Sequence, residues 1–372
     1  MTKWSWKIGR VSGIDIYLHW TFLILIAWIF LAYNGKEGLL AALTGVGFIL
    51  ALFACVVLHE LGHALTAQRF GVQTRDIILL PIGGIARLQR MPEDPRQEFL
   101  VAAAGPAVNV VIAAILFAIL MPLVGWSGLA PGPLLKGGFA QNMMWANIVL
   151  VVFNLLPAFP MDGGRMLRAL LAMQTDYLRA TEIAASVGQL MAILFAVAGL
   201  FVFWNPFLVF IALFMFLGAS GEAKLTEIRV LLQDVPVTQA MITKFRALSP
   251  NDPLSAATDE LLAGWQPDFP VVENGHFRGF LHRQRLSEVL KQGKDHVVGK
   301  VMETDCPVVH ERDTLYSVMQ QMQQTHCSAL PVLRGEQLVG VVTTENIGEL
   351  MMIRSAQRAE HSHSDSNLLQ LP

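Results

Sequence analysis

The sequence predicts an α-helical polytopic membrane domain of about six transmembrane helices, followed by a soluble α/β domain built as a tandem repeat. Three observations carry this. Of 372 residues, 53% are hydrophobic and 15% charged, against about 25% charged in an average soluble domain, and the mean hydropathy is +0.48. The shortage of charge is uneven: long apolar runs fill the chain up to Lys224, and ordinary mixed polarity follows. Beyond that break, shifting the chain by 61 residues lays one half of residues 233–355 on the other without gaps.

Six apolar runs qualify as spans, near 17–33, 42–68, 99–124, 141–159, 183–203 and 205–221. The first has no short apolar core with a small-residue cleavage site, so it reads as a retained span. Basic residues fix the orientation. Lys3, Lys7, Arg10, Arg69, Arg75, Arg87, Arg90, Arg96, Arg165, Arg168 and Arg179 fall on one side, with only Lys36 and Lys136 opposite. The first side is then cytoplasmic, with both termini and the soluble domain, in a multi-pass protein of the cell membrane. A formal net charge of −2 excludes a nucleic-acid partner attracted by bulk charge. Cys55, Cys306 and Cys327 have no paired or metal-type spacing, which argues against a disulfide framework.

The second run contains "ALFACVVLHELGHALTAQ", with His59, Glu60 and His63 in an otherwise apolar helix. Ionisable groups at membrane depth cost roughly 2.5–3.5 kcal/mol each on insertion scales, so something must offset them. Histidines at i and i+4 share one helical face and can bind one metal ion. Zinc suits two nitrogen ligands and an oxygen ligand, with a fourth position left for water. The ion lowers the pKa of that water toward about 7. A glutamate beside the first histidine can take the proton and pass it to a leaving amine. Peptide hydrolysis is the chemistry this trio fits.

A third ligand is required, and Asp162 in "NLLPAFPMDGGRMLRALL" is the best-placed acid. Asn154, Pro157 and Pro160 interrupt helical hydrogen bonding there, and irregular backbone at that depth is tolerated where it lines a buried or wet cavity. Asp162 also reads as an N-cap for the following helix, a role compatible with ligation. "IILLPIGGIARL" (77–88), with Gly83 and Gly84 in its middle, reads as a strand or hairpin dipping back toward the membrane, or as an interfacial loop. As a strand, its edge would hold an unwound substrate by backbone pairing. Cys55 reads as a small buried residue or a fourth ligand, His19 as a membrane-boundary histidine.

His59-Glu60-x-x-His63, followed in a later span by Asn154-x-x-Pro157-x-x-Pro160-x-Asp162-Gly163, resembles the site-2 protease family of intramembrane zinc metalloproteases. "GPAVN", Gly105 to Asn109, is similar to that family's motif in the intervening span. The resemblance covers roughly residues 10–221. It implies one zinc ion per chain on His59, His63 and Asp162, with Glu60 as catalytic base. It further implies membrane-tethered protein substrates, cut in or near their transmembrane segments, with Asn154 binding substrate or stabilising an oxyanion; Gly83 and Gly84 of the 77–88 stretch and Asn109 of "GPAVN" are the further candidate substrate residues. A transporter or channel with a metal site is the alternative, and it would need polar residues spread over several spans.

In the soluble half, the 61-residue shift lays Met241 on Met302, Asp252 on Asp313, Leu254 on Leu315, Pro270 on Pro331 and Gly279 on Gly340. Each copy reads as a helix (254–263 and 315–325), two short strands and another helix. A unit this small buries little alone, so the copies should pack together. The pattern resembles a tandem pair of CBS domains, and the resemblance implies an adenine nucleotide ligand and a homodimer through the pair. Gly340, Thr343 and Asn346 of the second copy are its candidate nucleotide residues. His282 and Arg285 stand at the Thr343 and Asn346 positions in the first copy, which therefore departs from the pattern. The division is thus 1–224, membrane metalloprotease domain; 225–298, linker and first CBS domain; 299–356, second CBS domain; 357–372, a tail without regular structure.

Overall fold

The computed structural model describes residues 4–81, 83–88, 94–130, 138–264, 266–291 and 296–368. Lys3, Arg90 and Lys136 of the orientation argument lie outside them. The chain divides into two compact units, Met1–Lys224 and Leu225–Pro372.

The first unit opens with strands where a span was expected. β1 (Ser5–Val11) and β2 (Ile14–His19) form an antiparallel hairpin; β2 lies parallel to β3 (Thr74–Leu80), which turns back into β4 (Gly83–Leu88). The sheet order is β1-β2-β3-β4, so β4 is an edge. Ile14 and Ile16 alternate inward from β2. The run 17–33 is therefore shared between β2 and helix α1 (Thr21–Glu37). The loop around Gly83 and Gly84 is a hairpin.

Six further helices follow: α2 (Leu39–Arg69), α3 (Pro95–Gly128), α4 (Phe139–Asn154), α5 (Asp162–Ala172), α6 (Tyr177–Val197) and α7 (Pro206–Leu232). A π-helical turn, Ala198–Val202, extends α6. Among the described residues four helices are long and apolar enough to cross a membrane: Leu39–Arg69, Pro95–Trp126, Tyr177–Val202 and Pro206–Leu232. The expected count of six falls to four by this measure. At 1.5 Å per residue, the 17 residues of α1 and 16 of α4 span about 25 Å, short of a hydrocarbon core of about 30 Å. α4 stops at Asn154 because Pro157 and Pro160 follow.

The sheet sits on α1 and α2 through Ile14, Ile77, Leu79, Phe22, Phe53 and Leu61, with Phe22 and Phe53 edge to face at 4.6 Å. Arg168, counted above among the basic loop residues, is 1% exposed. Its Nε donates to Glu98 Oε1 at 2.8 Å, a second nitrogen contacts the same oxygen, and Nη1 reaches Glu222 at 2.7 Å. The guanidinium also lies over the rings of Phe159 and Tyr177. A charge buried this deeply persists only with such partners. The cluster ties α3, α5 and α7 together.

In the second unit α8 (Leu254–Ala263), β5 (Asp268–Glu273), β6 (His276–His282) and α9 (Arg283–Lys291) make the first copy. The second is β7 (Val309–His310), α10 (Leu315–Thr325), β8 (Ala329–Arg334), β9 (Gln337–Thr343) and α11 (Thr344–Leu368). The five strands form one sheet, β5-β6-β9-β8-β7. The leading segments are exchanged between copies: Ile242 bridges Val341, and its equivalent Glu303 bridges Phe280. Leu232, Val235 and Val237 accordingly share a core with Leu315, Val332 and Ile347, whereas Val298 and Val301 pack with Leu254, Phe269 and Leu281. The division at 298/299 therefore does not mark two self-contained halves. The backbone of α11 continues to Leu368, through most of the tail expected to lack structure.

Arg168→Met should leave Glu98 buried and uncompensated, destabilising the protein by about 3–5 kcal/mol. Thermal unfolding in detergent should show a clearly lowered midpoint, with the double variant Arg168→Met/Glu98→Gln recovering part of the loss.

Candidate active site

His59 and His63 lie one turn apart on α2, and Asp162 begins α5 across from them; all three are buried. His59 Nε2 is 3.1 Å from His63 Nε2, and each is 3.2 Å from Asp162 Oδ2. Bonds of 2.0 Å at tetrahedral angles put ligand atoms about 3.3 Å apart. The three atoms have the spacing of a metal site.

The outer nitrogens fix the tautomers. His63 Nδ1 lies 2.7 Å from the Val101 carbonyl oxygen, which can only accept. His59 Nδ1 meets Asn109 Oδ1 at 2.5 Å; Asn109 Nδ2 donates to Asn147 Oδ1 at 2.7 Å, and Asn147 Nδ2 to the Met143 carbonyl at 2.9 Å. Working back from that carbonyl, each amide has one permitted orientation, and His59 must carry its proton on Nδ1. Both Nε2 atoms thus face the buried Asp162 Oδ2. With the ring protons on Nδ1, the three atoms are all acceptors, which a bound cation satisfies together. The residues present fit zinc.

Close approach demands glycine on two sides. A Cβ at Gly105 of α3 would lie 2.2 Å from His63 Nε2 and 2.7 Å from His59 Nε2, inside the metal position itself. A Cβ at Gly84 would lie 2.8 Å from Glu60 Cγ, so its absence lets β4 rest on the glutamate. Glu60 Oε2 accepts from the Ala86 N–H at 3.1 Å. That N–H points away from β3, along the open edge of the sheet.

Asn109, expected to meet substrate, is instead fully buried, with both ends of its amide held by His59 and Asn147. Asn154 is half-buried at the end of α4. Cys55 is packed against Met143 and Asn147, outside the donor set. His19 is tied to Thr21 at the start of α1. Asn147 is absent from the sequence-derived candidates; an asparagine among the apolar residues of "MMWANIVLVVF" is its signal. In the second unit, Thr343 Oγ1 and Asn346 Oδ1 are 2.5 Å apart, and Asn346 N–H donates to the same hydroxyl, so the two residues cap α11. Gly340 faces Met241, whose Sδ would lie 2.8 Å from an added Cβ.

Two histidines and a glutamate on a helix of membrane length, with the carboxylate of a short helix set across from them, have the make-up of an intramembrane metallopeptidase. Known proteins agree. The sequence profile "Peptidase family M50" matches residues 47–142 and 137–195, and that of the CBS domain matches 298–352. Zinc metalloprotease MJ0392 of Methanocaldococcus jannaschii is 32% identical over 354 residues, covering 94% of this chain and 97% of its own. Stage IV sporulation protein FB of Bacillus subtilis is 31% identical over 143 residues, 38% of this chain and 46% of its own. The solved site-2 protease from M. jannaschii is 34% identical, covering 59% of this chain and 95% of its own, with a TM-score of 0.43. The chain belongs to peptidase family M50, the site-2 proteases, and carries a CBS region. It is a zinc metalloendopeptidase of the membrane, acting on membrane-embedded proteins.

Gly105→Ala should abolish metal binding although no ligand changes, read as zinc per chain by elemental analysis. Asn109→Ala should keep the ligands but weaken zinc affinity by roughly 10–100-fold, the usual effect of removing a histidine's outer partner.

Proposed function

We propose that His59, His63 and Asp162 hold one zinc ion, and that Glu60 is the general base of peptide hydrolysis. The convergence of His59 Nε2, His63 Nε2 and Asp162 Oδ2, buried and about 3 Å apart, is the observation that carries this. Zinc, when bound, supplies the charge that acidifies a water and polarises a carbonyl. Glu60 borders the ligands without belonging to them. Its carboxylate takes the proton of the attacking water and returns it to the leaving amine.

The substrate is an unwound transmembrane segment added as a strand to the open edge of β4. A scissile carbonyl inside a closed helix is hydrogen-bonded and shielded, so unwinding precedes attack. The Ala86 N–H, now taken by Glu60, is the kind of edge donor that such a strand would claim. Gly83 and Gly84 keep that edge low over the site. Asn154, where α4 gives way to the proline-broken turn, is set to contact the substrate backbone.

The excess of Lys7, Arg10, Arg69, Arg75, Arg96, Arg165 and Arg179 over Lys36 supports a cytoplasmic site and a cytoplasmic CBS unit. An adenine nucleotide bound to that unit regulates cleavage, and the pair also mediates homodimerisation. A cavity of about 650 Å³ lined by Arg283, Arg285 and Lys300 has room and charge for phosphates. Gly340, Thr343 and Asn346 lie outside that lining, and Thr343 must release Asn346 to bind a nucleotide.

Glu60→Gln should retain about one zinc ion per chain and lose roughly 10²–10⁴-fold in cleavage of a single-span substrate. Asp162→Ala should lose both metal and activity. Full zinc occupancy in Asp162→Ala would remove Asp162 from the ligand set. Calorimetry of the full chain in detergent with ATP, ADP and AMP tests the nucleotide; no heat with any of them rejects it.

A further inference from the structure

Among the described residues a second set of mixed donors converges, this time in the CBS unit. One atom each from His282, Glu303 and Cys306 lies within 4.8 Å of the others. His282 Nε2 is 3.8 Å from Cys306 Sγ and 3.9 Å from Glu303 Oε2. Bonds of 2.0 Å to nitrogen or oxygen and 2.3 Å to sulfur would put such atoms about 3.3–3.6 Å apart. A small side-chain adjustment closes the set.

The imidazole is already oriented as a ligand needs to be. Its Nδ1 lies 3.2 Å from Asp268 Oδ1. Asp268 is held in turn by the Arg283 N–H at 3.1 Å and the Ser328 hydroxyl at 2.9 Å. The ring stacks on Phe280 at an interplanar angle of 13°. With Nδ1–H donated to the carboxylate, the Nε2 lone pair faces the thiol and Glu303. A carboxylate behind a histidine is the arrangement that orients metal ligands and raises their basicity.

The repeat supplies an internal control. Under the 61-residue shift His282, Asp268, Glu303 and Cys306 fall on Thr343, Ala329, Ile242 and Phe245. The backbone pairing is preserved between the two places, so the donors are not a by-product of the fold. They occur in one half only.

We propose that this half of the CBS unit binds one divalent transition-metal ion, zinc or an ion of similar softness, through His282, Cys306 and Glu303. An imidazole with a sulfur donor selects such an ion over magnesium or calcium. Burial, and then the neighbouring Cys327 and Glu303, push the Cys306 thiol up to about 12, so without metal it stays protonated and inert. Cys327 packs in the same cluster and offers a fourth donor. Glu303 and His282 line the 650 Å³ cavity, which gives the ion a way in. His282, the ligand, holds the position that Thr343 holds in the other half.

Cobalt distinguishes this site from the membrane centre, whose three donors are nitrogen and oxygen only. The full chain in detergent, stripped with chelator and titrated with Co²⁺, should develop thiolate-to-cobalt charge-transfer absorption in the near ultraviolet. The band should persist in His59→Ala, saturating at about one ion per chain, and vanish in Cys306→Ser. Asp268→Asn should weaken it by roughly 10–100-fold in affinity. If Cys306→Ser proves unstable, His282→Gln and Glu303→Gln, with metal-free thermal unfolding as the folding control, carry the same test. No band in the unsubstituted protein, or an undiminished band in Cys306→Ser or His282→Gln, would overturn the proposal.

Discussion

Two imidazole nitrogens and a carboxylate oxygen are buried about 3 Å apart, and with the ring protons on the outer nitrogens they need a cation to join them. Much of the membrane unit is arranged around that condition. The helical period of α2 puts both rings on one face. α3 comes close enough to seal the other side because position 105 has no side chain, and the same helix supplies the carbonyl and amide that fix the tautomers. α5 begins with the carboxylate.

The carboxylate cannot be positioned by its own short helix. α5 has 11 residues, too few to stand alone, and it is anchored one and a half turns later by Arg168 between Glu98 and Glu222. A second polar chain, Met143–Asn147–Asn109–His59, runs through apolar surroundings on the opposite side. In hydrocarbon such groups are tolerable only when each donor meets an acceptor. Both chains meet that requirement, and each holds one metal donor in place.

His59, Glu60, His63 and Asp162 stand out in the sequence because their signals are local: an i, i+4 pair and a lone acid beyond three helix breakers, against apolar neighbours. The repeat was legible because no gap blurs it, and α8 and α10 begin and end where the pattern placed them. What escaped depends on distant partners. Tyr17–His19 runs without a break into the apolar stretch of α1, and pairing with β1 and β3 makes it part of a strand. Arg168 looks like any loop arginine until Glu98, 70 residues earlier, is beside it. Asn109 looked like a substrate contact for the same reason: its partners are His59 and Asn147, neither near it in sequence. Thr343 and Asn346 kept the expected spacing, yet bond to each other.

The exchanged leading segments of the CBS unit carry a consequence for its cooperativity. Each closes on a strand of the other copy, Ile242 on Val341 and Glu303 on Phe280. Because both copies lie on one polypeptide the exchange is intramolecular, at an effective concentration no dilution can lower. The two halves should then melt as one body, neither outlasting the other.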